Sequence, residues 1–204
     1  MTPAEFQTRT GASVAAMTDL ERYREMLVAG NEVMNLVGPA SLPDYWNRHA
    51  FDSAQLLSLA PEASTWADLG AGAGLPGVVL AILLKDSPGS QVWLIDSQAK
   101  RIRFLNEVVS TLSLPAQVIH ARAEDLALQV DIVTARACAP LDRLLQFAAP
   151  YRKRGAEALF LKGEKAEEEI AAARRSHRFD VEVLPSASDP RGRILRIRSS
   201  QRVA

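Results

Sequence analysis

The sequence predicts an α/β fold in which a helical N-terminal extension precedes a mostly parallel sheet that ends in an antiparallel hairpin. In residues 62–204, short apolar runs alternate with helix-like stretches, as in parallel sheets covered by helices on both faces. In residues 1–61, apolar residues instead recur at a helical period. The last two apolar runs are joined by residues 185–192, which leave no room for a helix and favour antiparallel pairing.

The extension divides into two helical stretches. Leu20 and Leu27 belong to an apolar repeat that predicts a helix over residues 17–36. A second helical stretch is predicted over residues 43–59, interrupted near His49 and followed by Pro61. We therefore place the boundary between the extension and the sheet domain after residue 61.

The sheet domain contains seven predicted strands. They span residues 65–69, 91–95, 117–120, 131–136, 156–162, 179–184 and 194–198. The helices predicted between them span residues 76–85, 98–112, 141–149 and 164–175. The stretch 121–130 is too short to predict a helix.

Composition limits the class of protein. The 204 residues include 24 basic and 24 acidic side chains, so any affinity for nucleic acid must come from local patches and not from net charge. The single cysteine, Cys138, cannot form an internal disulfide, which fits a reducing compartment. The start of the chain does not resemble a signal peptide, and the apolar run 78–84 is too short to cross a bilayer. We expect a cytoplasmic monomer that does not bind membranes.

The most informative segment is the glycine loop, which reads Trp-Ala-Asp-Leu-Gly-Ala-Gly-Ala-Gly-Leu-Pro-Gly over residues 66–77. Gly72 to Gly77 fits the dinucleotide pattern G-x-G-x-x-G. Gly70, Gly72 and Gly74, preceded by Asp68, fit the loop that S-adenosylmethionine-dependent methyltransferases place after their first strand. Either match alone is weak, so an NAD-binding protein remains an alternative at this point.

Three further features favour the methyl donor. Pro76 removes one of the free N–H groups that a pyrophosphate would bind at the start of a helix. The chain closes with a hairpin where a dinucleotide domain would continue. Ala123 and Glu124 follow the third strand, where an adenine ring would be held. Asp96 ends the second strand and suits both cofactors, since it either accepts the ribose hydroxyls or caps the following helix.

Several segments together resemble one family. The matching segments are Asp68–Gly77, Arg48-His49-x-x-Asp52-Ser53, Asp96-Ser97, Lys100-Arg101, Arg136-Ala137 and Leu161-Lys162-Gly163. They are similar to the glucose-inhibited division protein B family of bacterial rRNA methyltransferases. The chain departs from the family at Ala73, where many relatives have proline, and at Ala50-Phe51; neither change removes a polar group.

The resemblance implies a class I S-adenosylmethionine-dependent methyltransferase with a Rossmann-like, seven-stranded sheet. It implies methylation of guanine N7 in the helix 18 loop of 16S rRNA, within the small ribosomal subunit or an assembly intermediate. The residues expected at the S-adenosylmethionine site are Gly70, Gly72, Gly74, Leu75, Asp96, Ser97, Ala123, Glu124 and Arg136.

The residues present fit this chemistry. Guanine N7 has a lone pair and no proton to lose, so methylation needs no general base, and oriented proximity supplies much of the rate. We see no metal-ligand cluster. Arg136 is the expected catalytic residue, in contact with the cofactor carboxylate, a phosphate or guanine O6; the alternative is a salt bridge to an acidic residue. Cys138 is either a nucleophile or, more ordinarily, a small buried hydrophobe. His49 and Asp52 either pair in a helix or form a lid.

RNA binding would need basic side chains near the site, because phosphate contacts dominate affinity. The expected RNA-binding residues are Lys100, Arg101, Lys162, Arg196 and Arg198, with Arg191, Arg193 and Arg202 in the same C-terminal cluster. Charged runs are also ordinary solvated surfaces. A small-molecule methyltransferase on the same fold is the alternative that would not need these clusters.

Overall fold

The computed structural model describes residues 1–198. Its α-helices are α1 (Pro3–Thr10), α2 (Val14–Met34), α3 (Asp52–Leu59), α4 (Gly77–Leu83), α5 (Ala99–Leu112), α6 (Leu141–Arg152) and α7 (Ala166–Ala173). Its strands are β1 (Thr65–Leu69), β2 (Gln91–Asp96), β3 (Ala116–His120), β4 (Ile132–Arg136), β5 (Glu157–Lys162), β6 (Glu182–Pro185) and β7 (Arg193–Ile197). None of the helices in residues 1–198 has both the length and the apolar content that a membrane crossing needs.

The helical extension begins earlier than the apolar period alone predicts. Thr2 and Glu5 form a capping box at the start of α1. Ser13 caps α2 by accepting a hydrogen bond from the Ala16 amide at 3.1 Å, so α2 starts three residues before the predicted helix. Capping therefore decides where these helices begin.

The predicted second helical stretch consists of three short pieces. A 3₁₀ helix spans Pro39–Asp44, a π-helix spans Trp46–Phe51, and α3 follows. The expected interruption near His49 is this π-helical turn, which adds a residue to the turn and marks functional sites in many proteins.

The seven strands form one sheet in the order β3-β2-β1-β4-β5-β7-β6. Strands β1 to β5 are parallel, whereas β7 is antiparallel to both β5 and β6. The predicted seven-stranded sheet with a terminal antiparallel hairpin is confirmed. The strand order reverses between β1 and β4, and ligands bind outside the carboxyl ends of the strands at such a point.

The hydrophobic core lies on both faces of the sheet. On one face Trp66 packs with apolar residues of α2, α4 and α5, and this cluster also contains Phe6, Tyr45 and Trp46 of the extension. On the other face Ala67 packs with residues of α6 and α7. Successive residues of β1 thus point to opposite faces, as strand geometry requires.

Candidate functional site

A cleft of about 1720 Å³ opens at the carboxyl edge of the parallel strands. It is larger than the roughly 300–1,000 Å³ typical of one small-molecule site, so it has room for two ligands. Most of the residues predicted for the site line it. They are Gly70, Gly72, Leu75, Asp96, Ser97, Arg101, Ala123, Glu124, Arg136 and Lys162.

Two hydrogen bonds attach the glycine loop to the end of β2. The Gly72 amide donates to Asp96 Oδ2 at 2.9 Å, and the Ala71 amide donates to the Ile95 carbonyl at 2.9 Å. Gly70 has a φ of 69°, and a Cβ atom there would collide with Sγ of Cys138. Gly74 has a different role from the one predicted: it does not line the cleft, and a Cβ there would collide with Val78 of α4.

The first two positions at the start of α4 offer no free amide to a phosphate. Pro76, the N-cap residue of α4, has no N–H. The next amide, of Gly77, donates to Oδ2 of the fully buried Asp68 at 2.9 Å. A dinucleotide pyrophosphate needs such amides, so this geometry speaks against the NAD-binding alternative.

Asp68 also carries an unsatisfied oxygen. Its Oδ1 atom is buried and has no hydrogen-bond partner within residues 1–198. Burial raises the pKa of Asp68 to about 7; nearby Asp96 adds to the rise, while the Gly77 amide and Arg136 oppose it. Asp68 is fully buried and does not itself line the cleft.

Asp96 is bound both to the start of α5 and to the glycine loop. Its Oδ1 atom accepts a hydrogen bond from the Gln98 amide at 2.8 Å, at the start of α5. Its Oδ2 atom accepts from Gly72 and, at 3.3 Å, from Nη1 of Arg101. A carboxylate offers about four acceptor positions, so about one remains for a ligand unless Arg101 moves. Arg101, expected to bind RNA, is thus engaged by Asp96 at the end of β2.

Arg136 ends β4 and is bound by the extension. Its Nη1 atom donates to the Arg48 carbonyl at 2.9 Å and to Asp52 Oδ2 at 3.2 Å, and its Nη2 atom donates to His49 Nδ1 at 2.9 Å. The predicted contact between His49 and Asp52 is therefore replaced by their shared contact with Arg136. Burial, with nearby Arg136 and Arg48, lowers the pKa of His49 to about 3, so this imidazole is neutral.

The cleft has a basic side that includes Arg193 of the predicted C-terminal basic cluster. Lys162, predicted to bind RNA, is nearly buried and donates to Glu169 at 2.7 Å. Arg193 is the register partner of Lys162 across β5 and β7 and lines the cleft. Within the described part of the chain, Arg193, Arg48 and Lys165 line the cleft without a carboxylate partner.

The structure does not bring the other predicted RNA-binding residues to the cleft. Arg196 pairs in register with Leu159, toward the amino end of β5, and donates to Glu157 at 2.8 Å. Arg198 lies beyond Arg196 and pairs with Glu182 at 3.4 Å. Because β7 is antiparallel to β5, these two arginines lie at the edge of the sheet opposite the cleft. Lys100 is exposed on α5 outside the cleft lining, and Arg202 lies outside the described residues.

Two other chemical possibilities find no support at this edge. Cys138 is accessible, but desolvation of its thiol and nearby Asp68 raise its pKa, which disfavours the nucleophilic thiolate. Among residues 1–198, no group of three His, Cys, Asp or Glu side chains is arranged to hold a metal ion.

The chain was compared with known protein families and structures. A family model described as "GidB: rRNA small subunit methyltransferase G" matches residues 16–193. The protein named ribosomal RNA small subunit methyltransferase G from Caulobacter vibrioides (strain NA1000 / CB15N) is 58% identical over 200 residues, which cover 98% of this chain and 93% of that protein. The protein of the same name from Parvibaculum lavamentivorans is 43% identical over 197 residues, covering 95% of this chain and 87% of that protein.

Solved structures agree on the fold. A SAM-dependent methyltransferase from Aquifex aeolicus superposes with a TM-score of 0.63 at 17% identity and covers 83% of this chain and 98% of that chain. Magnesium protoporphyrin IX methyltransferase from Synechocystis PCC 6803, solved with bound SAM, superposes with a TM-score of 0.60 at 14% identity, covering 92% and 99% of the two chains. At these identities the likeness establishes the class I methyltransferase fold. The family model and the relatives together show that this chain belongs to the rRNA small subunit methyltransferase G family.

Proposed function

We propose that this protein transfers a methyl group from S-adenosylmethionine to N7 of a guanine in the helix 18 loop of 16S rRNA. The observation that carries the proposal is the contact between Gly72 and Asp96 at the mouth of a two-ligand cleft, in a chain of this family. This hydrogen bond places the glycine loop beside the Asp96 carboxylate at the carboxyl end of β2, where a nucleoside ribose binds in this fold.

The polar groups of the site match those of S-adenosylmethionine. Asp96 keeps about one acceptor position for the ribose hydroxyls. Ala123 and Glu124 form a 3₁₀ turn after β3, on the side where an adenine would lie. When bound, the cofactor supplies an electrophilic methyl group on a sulfonium.

The residues present are sufficient for attack by guanine N7. That atom carries a lone pair and no proton, so the protein needs to orient the base rather than deprotonate it. Arg136 is the residue we assign to this position, as a donor toward the cofactor carboxylate or toward the substrate. Orientation of two bound reactants is worth roughly 7–11 kcal/mol of barrier.

The basic side of the cleft favours RNA over a small substrate. Arg48, Lys165 and Arg193 line the cleft without a carboxylate partner in residues 1–198, and Lys165 after β5 and Arg193 in β7 lie on the side of the sheet away from Asp96 at the end of β2. A small methyl acceptor would not need three cations without carboxylate partners, whereas phosphates flanking an extruded guanine would. We assign the RNA backbone to this side.

The remaining assignments follow from this function. Residues 1–61 are an extension that completes the site of residues 62–204 through His49 and Asp52. The substrate is 16S rRNA within the small subunit or its assembly intermediate, in the cytoplasm, and the enzyme acts as a monomer.

Mass mapping of 16S rRNA tests the substrate. In cells that lack the gene, the helix 18 guanine should lose its methyl group, and the wild-type gene should restore it. Labelled S-adenosylmethionine with naked 16S rRNA and with small subunits distinguishes the two forms of the substrate. An unchanged helix 18 guanine in the deletion strain would refute the assignment.

A further inference from the structure

The side chain of His49 connects Arg136 to Ser41 in the 3₁₀ helix Pro39–Asp44. Arg136 Nη2 lies 2.9 Å from His49 Nδ1, and His49 Nε2 lies 2.8 Å from Oγ of Ser41. The Ser41 hydroxyl lies 2.6 Å from the carbonyl oxygen of Gly38. Gly38 and Ser41 both line the cleft.

The donor and the acceptor of each hydrogen bond from Arg136 to Gly38 follow from the chemistry of the groups. A guanidinium has only donors, so Nδ1 of His49 must accept. The hydrogen of the neutral imidazole is then on Nε2, which donates to Ser41. A backbone carbonyl only accepts, so the Ser41 hydroxyl donates to Gly38 and receives the imidazole hydrogen on its lone pair. His49 therefore has one tautomer, and the chain runs from Arg136 through His49 and Ser41 to Gly38.

His49 is held rigidly in this role. It is only 5% exposed and lies in the π-helical turn, with the ring of Tyr45 centred 6.3 Å away. Its neutrality agrees with its buried position between Arg136 and Arg48. A protonated imidazole would place an N–H against the Arg136 guanidinium and break the first link.

The contacts of Arg136 leave one edge of its guanidinium available. Nη1 uses its two hydrogens on Arg48 and Asp52, and Nη2 uses one on His49. The Nε hydrogen and the second Nη2 hydrogen have no partner within residues 1–198. These are the two donors that bind a carboxylate side-on, and Arg136 lines the cleft.

We propose that His49 is a positioning residue that, with Ser41 behind it, orients the Nε–Nη2 edge of Arg136 toward an oxyanion in the cleft. The oxyanion is the carboxylate of the cofactor, so this step rests on the proposed function. The hydrogen bond from His49 to Ser41 also holds the segment 38–41, which lines the cleft. The orientation of the cofactor and the position of this segment therefore depend on the same imidazole.

The test compares two ligands that differ in the carboxylate. S-adenosylhomocysteine carries the amino acid moiety, whereas methylthioadenosine has the same nucleoside and thioether without it. The variants are His49→Gln, whose amide lies near the former Nε2, and His49→Asn, whose oxygen lies near the former Nδ1. Ser41→Ala removes the second link. Ser58→Ala, which removes a hydroxyl bonded to Gln55 in the same extension, is the control.

We expect His49→Gln to weaken S-adenosylhomocysteine binding about tenfold or more and to leave methylthioadenosine binding within about twofold of wild type. His49→Asn should retain most of the affinity, and Ser41→Ala should show a smaller loss for the same ligand alone. Equal losses for both ligands would show a general structural effect and overturn the proposal, as would no loss in His49→Gln. Thermal unfolding of each variant ensures that folded protein is compared.

Nitrogen NMR of the histidine rings tests the link without reference to activity. His49 should be the neutral Nε2–H tautomer at pH 7, assigned by its absence in His49→Asn, and Ser41→Ala should shift it toward a tautomer mixture. An Nδ1-protonated His49 would overturn the proposed chain while leaving the proposed function intact. Failure of the wild type to bind S-adenosylhomocysteine would instead refute the proposed function and, with it, the role assigned to the Arg136 edge.

Discussion

The backbone N–H of Gly77 donates to the buried carboxylate of Asp68 over 2.9 Å, so the first amide of α4 is engaged inside the protein. In a dinucleotide site the corresponding amides face the pyrophosphate. Here the acid of the glycine motif takes that place, and its second oxygen is left without a partner in the described chain. This contact therefore disfavours a phosphate at the start of α4.

Asp68 should make the ligand-free protein less stable as the pH rises. Its folded pKa of about 7 lies above the ordinary aspartate pKa of 3.8, so the folded state holds the proton more tightly than the unfolded state. The favourable contribution is complete below pH 3.8 and is lost as the pH rises to about 7. Relative to Asp68→Asn, the wild type should lose roughly 4 kcal/mol of unfolding free energy across this range. Urea unfolding at several pH values measures it, and parallel curves for the two proteins would contradict it.

His49 should act in the opposite direction. Its folded pKa of about 3 lies below the ordinary histidine pKa of 6.5, so its contribution to stability is present above pH 6.5 and is lost as the pH falls toward 3. Compared with His49→Asn, the wild type should lose roughly 2–4 kcal/mol on acidification across that range. Urea unfolding over the same pH series measures both effects. In the wild type the Asp68 and His49 titrations oppose each other, so the free energy of unfolding should vary less with pH than in Asp68→Asn, where only His49 titrates.

Asp96 and Arg101 should have opposite effects on cofactor affinity. Asp96→Asn replaces an acceptor that holds Gly72 and Gln98, and we expect S-adenosylhomocysteine to bind about tenfold more weakly. Arg101→Gln frees an acceptor position on Asp96, so the affinity should stay equal or rise a few-fold. Calorimetry measures both, with Lys100→Gln as the matched neighbour. Loss of binding in Arg101→Gln would show that Arg101 itself contacts the cofactor.

A side chain at Gly70 should be costly for two separable reasons. Gly70→Ala places a Cβ at a φ of 69°, which costs about 1–2 kcal/mol, and also pushes it into Sγ of Cys138. Cys138→Ala removes only the second effect. In a double-mutant cycle, the Cys138→Ala background should therefore recover part of the loss of unfolding free energy, about 1 kcal/mol or more. Strict additivity of the two substitutions would exclude the collision.

Substitution of Arg193 should weaken the binding of RNA and leave the binding of the cofactor unchanged. Arg193→Gln removes a cation at the cleft, so KM for the RNA substrate should rise about five- to tenfold and the salt dependence of RNA binding should weaken by about one phosphate contact. Binding of S-adenosylhomocysteine should change less than about twofold. Arg198→Gln, at the far edge of the same sheet, is the control. Equal RNA effects in both variants would contradict the assignment of the RNA to the cleft side.

The fold and the family were predictable from the sequence, and the comparisons confirm both. The alternation of short apolar runs with helical stretches is local information, and it located every strand within a few residues. The partners of Arg136 were not predictable, because Asp52 and His49 lie 84 and 87 residues away along the chain. Within the predicted C-terminal basic cluster, Arg196 and Arg198 were favoured over Arg193, because only the register of β7 against β5, which pairs Arg193 with Lys162, shows which of these arginines reaches the cleft.

The tip of the hairpin also contacts the extension. Asp52 accepts a hydrogen bond from the hydroxyl of Ser188 at 2.5 Å, and the Ala187 amide donates to Gln55 at 2.7 Å. Ser188 is added to the growing chain 136 residues after Asp52. During synthesis, the glycine loop and β4 are therefore made well before the segment that secures Asp52 beneath Arg136. The cofactor site is therefore completed only near the end of translation. Nascent chains that already contain β1 to β5 but lack Ser188 should still bind the methyl donor weakly.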